Sequence, residues 1–117
     1  MAWISLVAPT SHERIRMIAG EAKGFLYLVS SLGVTGVRKE ITTDIDEMVA
    51  LVREASDIPC AVGFGISMPE QAKKMAAVSD GAIVGSAIVR MIGQYGKDCV
   101  EPVRQYVKEM KAAVNEA

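Results

Sequence analysis

Short apolar runs alternate four times with longer stretches of helical period, and no other feature of the sequence narrows the fold so far. The runs cover residues 3–8, 25–30, 59–63 and 82–85, each nearly continuous in apolar side chains. Strands buried on both faces read this way, and strands alternating with helices indicate βα units around a parallel sheet. The spacing therefore predicts an α/β chain of four βα units in a single domain spanning residues 1–117.

The connections between the runs carry helix start signals. Thr10-Ser-His-Glu13, Asp44-Ile-Asp-Glu47 and Ser67-Met-Pro-Glu70 each set a cap-forming side chain three residues before a glutamate, the pattern of a capping box. Apolar stripes follow at helical spacing: Ile15, Ile18 and Ala22; Met48, Leu51, Val52 and Ala55; Ala72, Met75 and Ala76. A fourth helix is expected from about Ser86. After the glycines at 93 and 96, a last one over residues 101–113 carries Val103, Val107 and Met110. Length adds a constraint, because 117 residues is about half of the ~250 that close an eight-unit βα-barrel.

Charge and cysteine usage exclude several classes of function. Thirteen basic residues against 14 acidic ones, without clustering, offer no basic face to nucleic acid. The opening apolar run is far shorter than the ~18 residues of a membrane span and lacks a basic leader. Cys60 and Cys99 form no CxxC or Cys/His pattern, so neither a zinc site nor a disulfide framework is indicated. Reduced thiols in a cytoplasmic protein, with no metal and no cofactor, are the expectation.

In a parallel βα architecture ligands bind at the carboxyl ends of the strands. Here those ends are residues 9–10, 31–36, 64–67 and 85–86, rich in glycine and hydroxyls. Gly63-Phe-Gly65 and Gly85-Ser86 suit a phosphate held by glycine-rich turns and a helix N-terminus. The competing reading of each is structural, a tight turn for the glycines and an N-cap for Ser86. None of these segments offers a core-facing Asp, Glu, Lys or His for acid–base chemistry. His12 and Glu13 belong to a helix start, as do Asp44, Asp46 and Glu47, and Asp80 precedes the last strand, at the rim that serves stability. Residues 31–43, with Gly33 and Gly36, form the longest irregular stretch and the candidate lid. Tyr27 sits inside an apolar strand, where its hydroxyl needs a partner if buried, and Phe64 lies between two glycines where it could meet a flat apolar ligand.

Three runs, Phe25-Leu-Tyr-Leu-Val-Ser-Ser-Leu-Gly-Val-Thr-Gly36, Ala61-Val-Gly-Phe-Gly-Ile-Ser67 and Gly81-Ala-Ile-Val-Gly-Ser-Ala-Ile88, together with Leu6-Val-Ala-Pro-Thr-Ser11, resemble the tryptophan synthase α chain family. The resemblance runs through essentially the whole chain. It implies strands five to eight of a TIM (βα)8 barrel that cleaves indole-3-glycerol phosphate to indole and glyceraldehyde 3-phosphate and passes indole to a β chain. By that resemblance the backbone at Gly36, Gly65, Gly85 and Ser86 would hold the substrate phosphate. Phe64 would face the indole side, Tyr27 would line the site, and Thr35 would help to position the catalytic Asp. The family's catalytic Glu and Asp fall outside the matching residues, so the chain is expected to be inactive alone. Its partners would be a phosphate ligand, the β chain of the intact family, and a second copy of itself. Another phosphate-binding barrel enzyme and a non-catalytic, self-associating half-barrel are the alternatives.

Overall fold

The computed structural model of the chain describes residues 1–9, 12–29, 41–63 and 65–117, with side chains from residue 45 onward in the second helix. Its elements follow in strict alternation: β1 (Ser5–Val7), α1 (His12–Glu21), β2 (Leu26–Val29), α2 (Ile41–Ala55), β3 (Cys60–Gly63), α3 (Pro69–Val78), β4 (Gly81–Ile83), α4 (Ser86–Tyr95), a short 3-10 turn (Gly96–Asp98) and α5 (Val100–Asn115). The four strands form one parallel sheet in the order β1-β2-β3-β4. This is the arrangement expected of four consecutive units from the wall of a barrel.

Strand periodicity divides the side chains between two unlike faces. Val7, Leu26, Leu28, Cys60 and Val62 point to one side and are buried there against Ile15, Ala19, Met48, Val52, Ala72, Met75 and Met110 from the helices. Leu6, Tyr27, Ala61 and Ile83 alternate to the other side, and Leu6 at mid-strand is 58% exposed. Parallel sheets are normally covered on both faces; among the described residues the second face carries the exposed Leu6 and the half-buried Tyr27, Ala61 and Ile83. Trp3, just before β1, is 86% exposed.

Two helix starts differ from the sequence reading. The second helix begins at Ile41, so Asp44 lies inside it rather than at its cap, and the last residues of the expected lid are helical. Helix α3 is capped by Met68 with Pro69 at its first turn, and Gln71 takes the role expected of Glu70. Its Oε1 accepts the backbone N–H groups of both Ser67 and Met68 at 3.0 Å. Glutamate and glutamine serve equally in this reciprocal contact, and Pro69 fixes the phase of the first turn so that the second of the pair reaches back. The Thr10 box lies outside the described residues. Of the predicted stripes, Ala55 and Val107 are exposed, while Ile45 and Val49 join the core beside Met48 and Val52.

At the opposite rim Asp80 ties β3 to the start of β4. Its Oδ2 accepts the N–H of buried Cys60 at 2.9 Å and lies 3.4 Å from Arg53 Nη2. The Cys60 hydrogen bond, helped by the Arg53 guanidinium, holds the carboxyl below its ordinary range against the opposing effect of burial. A depressed folded pKa means the contribution is whole above the unfolded value of about 3.9 and is lost as pH falls through the lower folded value. Asp80→Ala should orphan the Cys60 N–H and cost about 1–2 kcal/mol in urea unfolding at pH 7. The partial exposure of the carboxylate keeps the figure at that end of the range. The difference from the parent should shrink in strong acid, where the neutral carboxyl still accepts the Cys60 N–H but the charge-dependent part is lost, and a variant as stable as the parent at pH 7 would remove Asp80 from the account of the fold.

Candidate functional site

The register of the sheet brings the two glycine turns side by side. Gly63 pairs with Ile83, so Gly65 and Gly85 each stand two residues beyond the last paired position on neighbouring strands, which run about 4.8 Å apart. Gly65 has φ +72°, a left-handed conformation that a side chain rarely adopts, and it turns the chain out of β3 toward α3. Gly85 is the N-cap of α4, and the first ladder bond of that helix runs from Val89 N to Gly85 O at 3.1 Å. The N–H groups of Ser86, Ala87 and Ile88 thus precede the ladder, and no described side chain caps them. At neither glycine would an added Cβ meet an atom of the described residues within 4 Å. Among the described residues the rim thus joins backbone donors to the positive end of a ten-residue helix, an arrangement suited to an anion.

Tyr27 enters the same region from the second face. Its ring lies against Gly63, where a Cβ would stand 2.5 Å from the hydroxyl oxygen and 2.7 Å from two ring carbons, so only glycine leaves this space. The sheet therefore brings Tyr27, Gly65, Gly85 and Ser86 to one rim and one face. Phe64, Thr35 and Gly36 lie outside the described residues, as does most of the lid.

Among the described residues no strand end carries a titratable side chain. His12 is instead exposed and paired with Glu47 at 3.0 Å across α1 and α2, and Asp80 sits at the far rim. No group of three or more His, Cys, Asp or Glu that could hold a metal occurs among the described residues. Nor is any described helix long and apolar enough to cross a membrane. Both cysteines are free, and burial, with Asp80 beside it, pushes the Cys60 thiol up. A cavity of about 280 Å³ lies between α5 and β4, lined mostly by apolar groups such as Ala82, Val84, Ile88 and Met110, with Asp80, Tyr106 and Lys111 also on its wall.

Two residues near the rim escaped the sequence reading. Gln71 was open to it, because the capping pattern admits either member of the Glu70-Gln71 pair. Tyr106 was not: its hydroxyl donates to the Ser67 carbonyl at 2.6 Å across 39 residues, a distance over which sequence periodicity is silent.

Comparison with known proteins points in one direction. The family model for the tryptophan synthase alpha chain matches residues 1–115. The tryptophan synthase alpha chain of Lactiplantibacillus plantarum is 48% identical over 116 residues, covering 98% of this chain and 44% of its own length. That of Thermoanaerobacter sp. is 50% identical over 110 residues, covering 92% of this chain and 42% of its own. Among solved structures, the tryptophan synthase alpha subunit from Campylobacter jejuni superposes with a TM-score of 0.79 at 34% identity, over 94% of this chain and 44% of that one. A chain from the α2β2 tryptophan synthase complex of Pyrococcus furiosus gives 0.77 at 32% identity, over 96% and 46%. The chain spans less than half the length of the relatives it matches.

Proposed function

Since this chain belongs to the tryptophan synthase alpha chain family, we propose that it is the phosphate-gripping half of the family's barrel. Gly65, Gly85 and Ser86 would receive the phosphate of indole-3-glycerol phosphate, with Gly36 from the loop after β2. Tyr27, Thr35 and Phe64 would line the rest of the substrate site. One observation carries the reading: the β3–β4 register aligns Gly65 with Gly85 beside a helix N-terminus that no described side chain caps. Titration of the chain with inorganic phosphate and with glyceraldehyde 3-phosphate, followed by calorimetry, tests it. Saturable, salt-sensitive binding of both is expected, and absence of binding would overturn it. The free cysteines suit a reducing compartment such as the cytoplasm. In a complete barrel the partner would be a tryptophan synthase β chain, as in the Pyrococcus furiosus complex.

The second face of the sheet favours another reading of the isolated chain, as a self-associating half-barrel. Leu6, Tyr27, Ala61 and Ile83 lie on a face that a closed barrel would bury, and β1 and β4 each leave one edge unpaired among the described residues. A two-fold axis along the barrel would set β4 of one copy beside β1 of the other, parallel at both seams, and close eight strands. This would cover both such faces and remove both edges, the two features that drive association of incomplete sheets. Native mass spectrometry and sedimentation at several concentrations should find a dimer or larger assembly. A monomer persisting at high concentration would refute it.

A further inference from the structure

The chain between β3 and α3 is irregular over residues 65–68, yet it is held at three points. Ile66 is buried in the core, Gln71 accepts from the N–H groups of Ser67 and Met68, and Tyr106 donates to the Ser67 carbonyl. The last two contacts act on one rigid unit. The Ser67 C=O and the Met68 N–H belong to the same planar peptide; Tyr106 grips its oxygen at 2.6 Å and Gln71 its nitrogen at 3.0 Å. The Ser67 carbonyl lies outside the α3 ladder, whose first bond runs from Ala72 N to Met68 O, and the tyrosine supplies the partner that the helix does not. Tyr106 comes from α5, which packs against α3 and also against α4, the helix that begins at Gly85-Ser86. Helix α5 thus packs against both helices that begin beside the glycine rim.

We infer that Tyr106 is a positioning residue of the anion site, fixing through the Ser67–Met68 peptide the direction in which the Gly65 turn presents its backbone. This rests on the reading of that rim as a phosphate site. Gly65 benefits from such a brace because it lacks a Cβ, and no atom of the described residues lies within 4 Å of where one would stand. The ring of Tyr106 packs on the core, so Tyr106→Phe removes the grip and keeps the packing. Burial pushes the Tyr106 hydroxyl up, so it remains a donor throughout the neutral range.

The experiment compares the parent chain with Tyr106→Phe and Gln71→Leu by three measurements: titration with inorganic phosphate, amide hydrogen exchange at Met68, whose N–H is held by Gln71, and the urea midpoint. Tyr106→Phe should weaken phosphate binding about three- to tenfold, in line with loss of one hydrogen bond. It should also speed exchange at Met68 and leave the midpoint close to that of the parent. Gln71→Leu, which frees the other end of the same peptide, should weaken phosphate binding likewise and supplies the test if Tyr106→Phe fails to fold. Parent-like affinity and exchange in a folded variant would overturn the inference. If the parent itself binds no phosphate, the proposed function fails separately, and exchange at Met68 still decides whether Tyr106 braces the turn.

Discussion

The 117-residue chain on its own is expected to release no measurable indole from indole-3-glycerol phosphate, even at concentrations that would saturate the proposed phosphate site. Cleavage of that carbon–carbon bond requires proton transfer at the reacting atoms, and a positioned acid or base contributes typically 10²–10⁴-fold to such a step. The described strand ends offer glycine, serine and apolar side chains at the rim. Tyr27 approaches from the second face of the sheet, where its ring occupies the space above Gly63. The carboxylates that the family resemblance assigns to catalysis fall outside the residues this chain matches. Holding the phosphate orients a substrate but leaves the proton without a carrier. A direct assay for indole, run beside an intact alpha chain, measures the difference, which should amount to several orders of magnitude. Turnover within tenfold of the intact enzyme would mean that acid–base groups have been overlooked.

Gly85→Asp should abolish phosphate binding while leaving the fold intact, and the two effects have separate physical origins. The added Cβ meets no atom of the described residues within 4 Å, and the φ of −122° at this position is open to any residue. Aspartate is also a favourable N-cap, so α4 should be unchanged or firmer by at most a few tenths of a kcal/mol. The same carboxylate would occupy the first N–H groups of α4 and set a like charge where the anion binds. Affinity for inorganic phosphate should therefore fall by about 30-fold or more, a loss of roughly 2 kcal/mol. Gly85→Ala, which adds the carbon without the charge, should bind far better than Gly85→Asp. Equal affinity of the aspartate variant and the parent would place the phosphate elsewhere. A fall in affinity accompanied by unfolding would attribute the loss to structure.

The sequence by itself determined the element order, because apolar runs of strand length and stripes of helical period are local properties that each segment displays alone. The strands at Ser5–Val7, Leu26–Val29, Cys60–Gly63 and Gly81–Ile83 all fall on or within one residue of the predicted runs. The start of α4 at Ser86 and the place of Asp80 at the stabilising rim were legible for the same reason. Only the tertiary structure decided which side of each strand the helices cover. A continuous apolar strand has no alternation to read, so the sequence does not distinguish Leu26 from Tyr27, or Ile83 from Val84, as the residue facing away from the helices; the register and the helices place Tyr27 and Ile83 there. The close seat of Tyr27 on Gly63 and the reach of Tyr106 to Ser67 likewise appear only when distant segments meet. Composition and periodicity fix what each segment becomes; which side chains share a site depends on strand register and helix packing, and these are set by contacts between residues far apart in the chain.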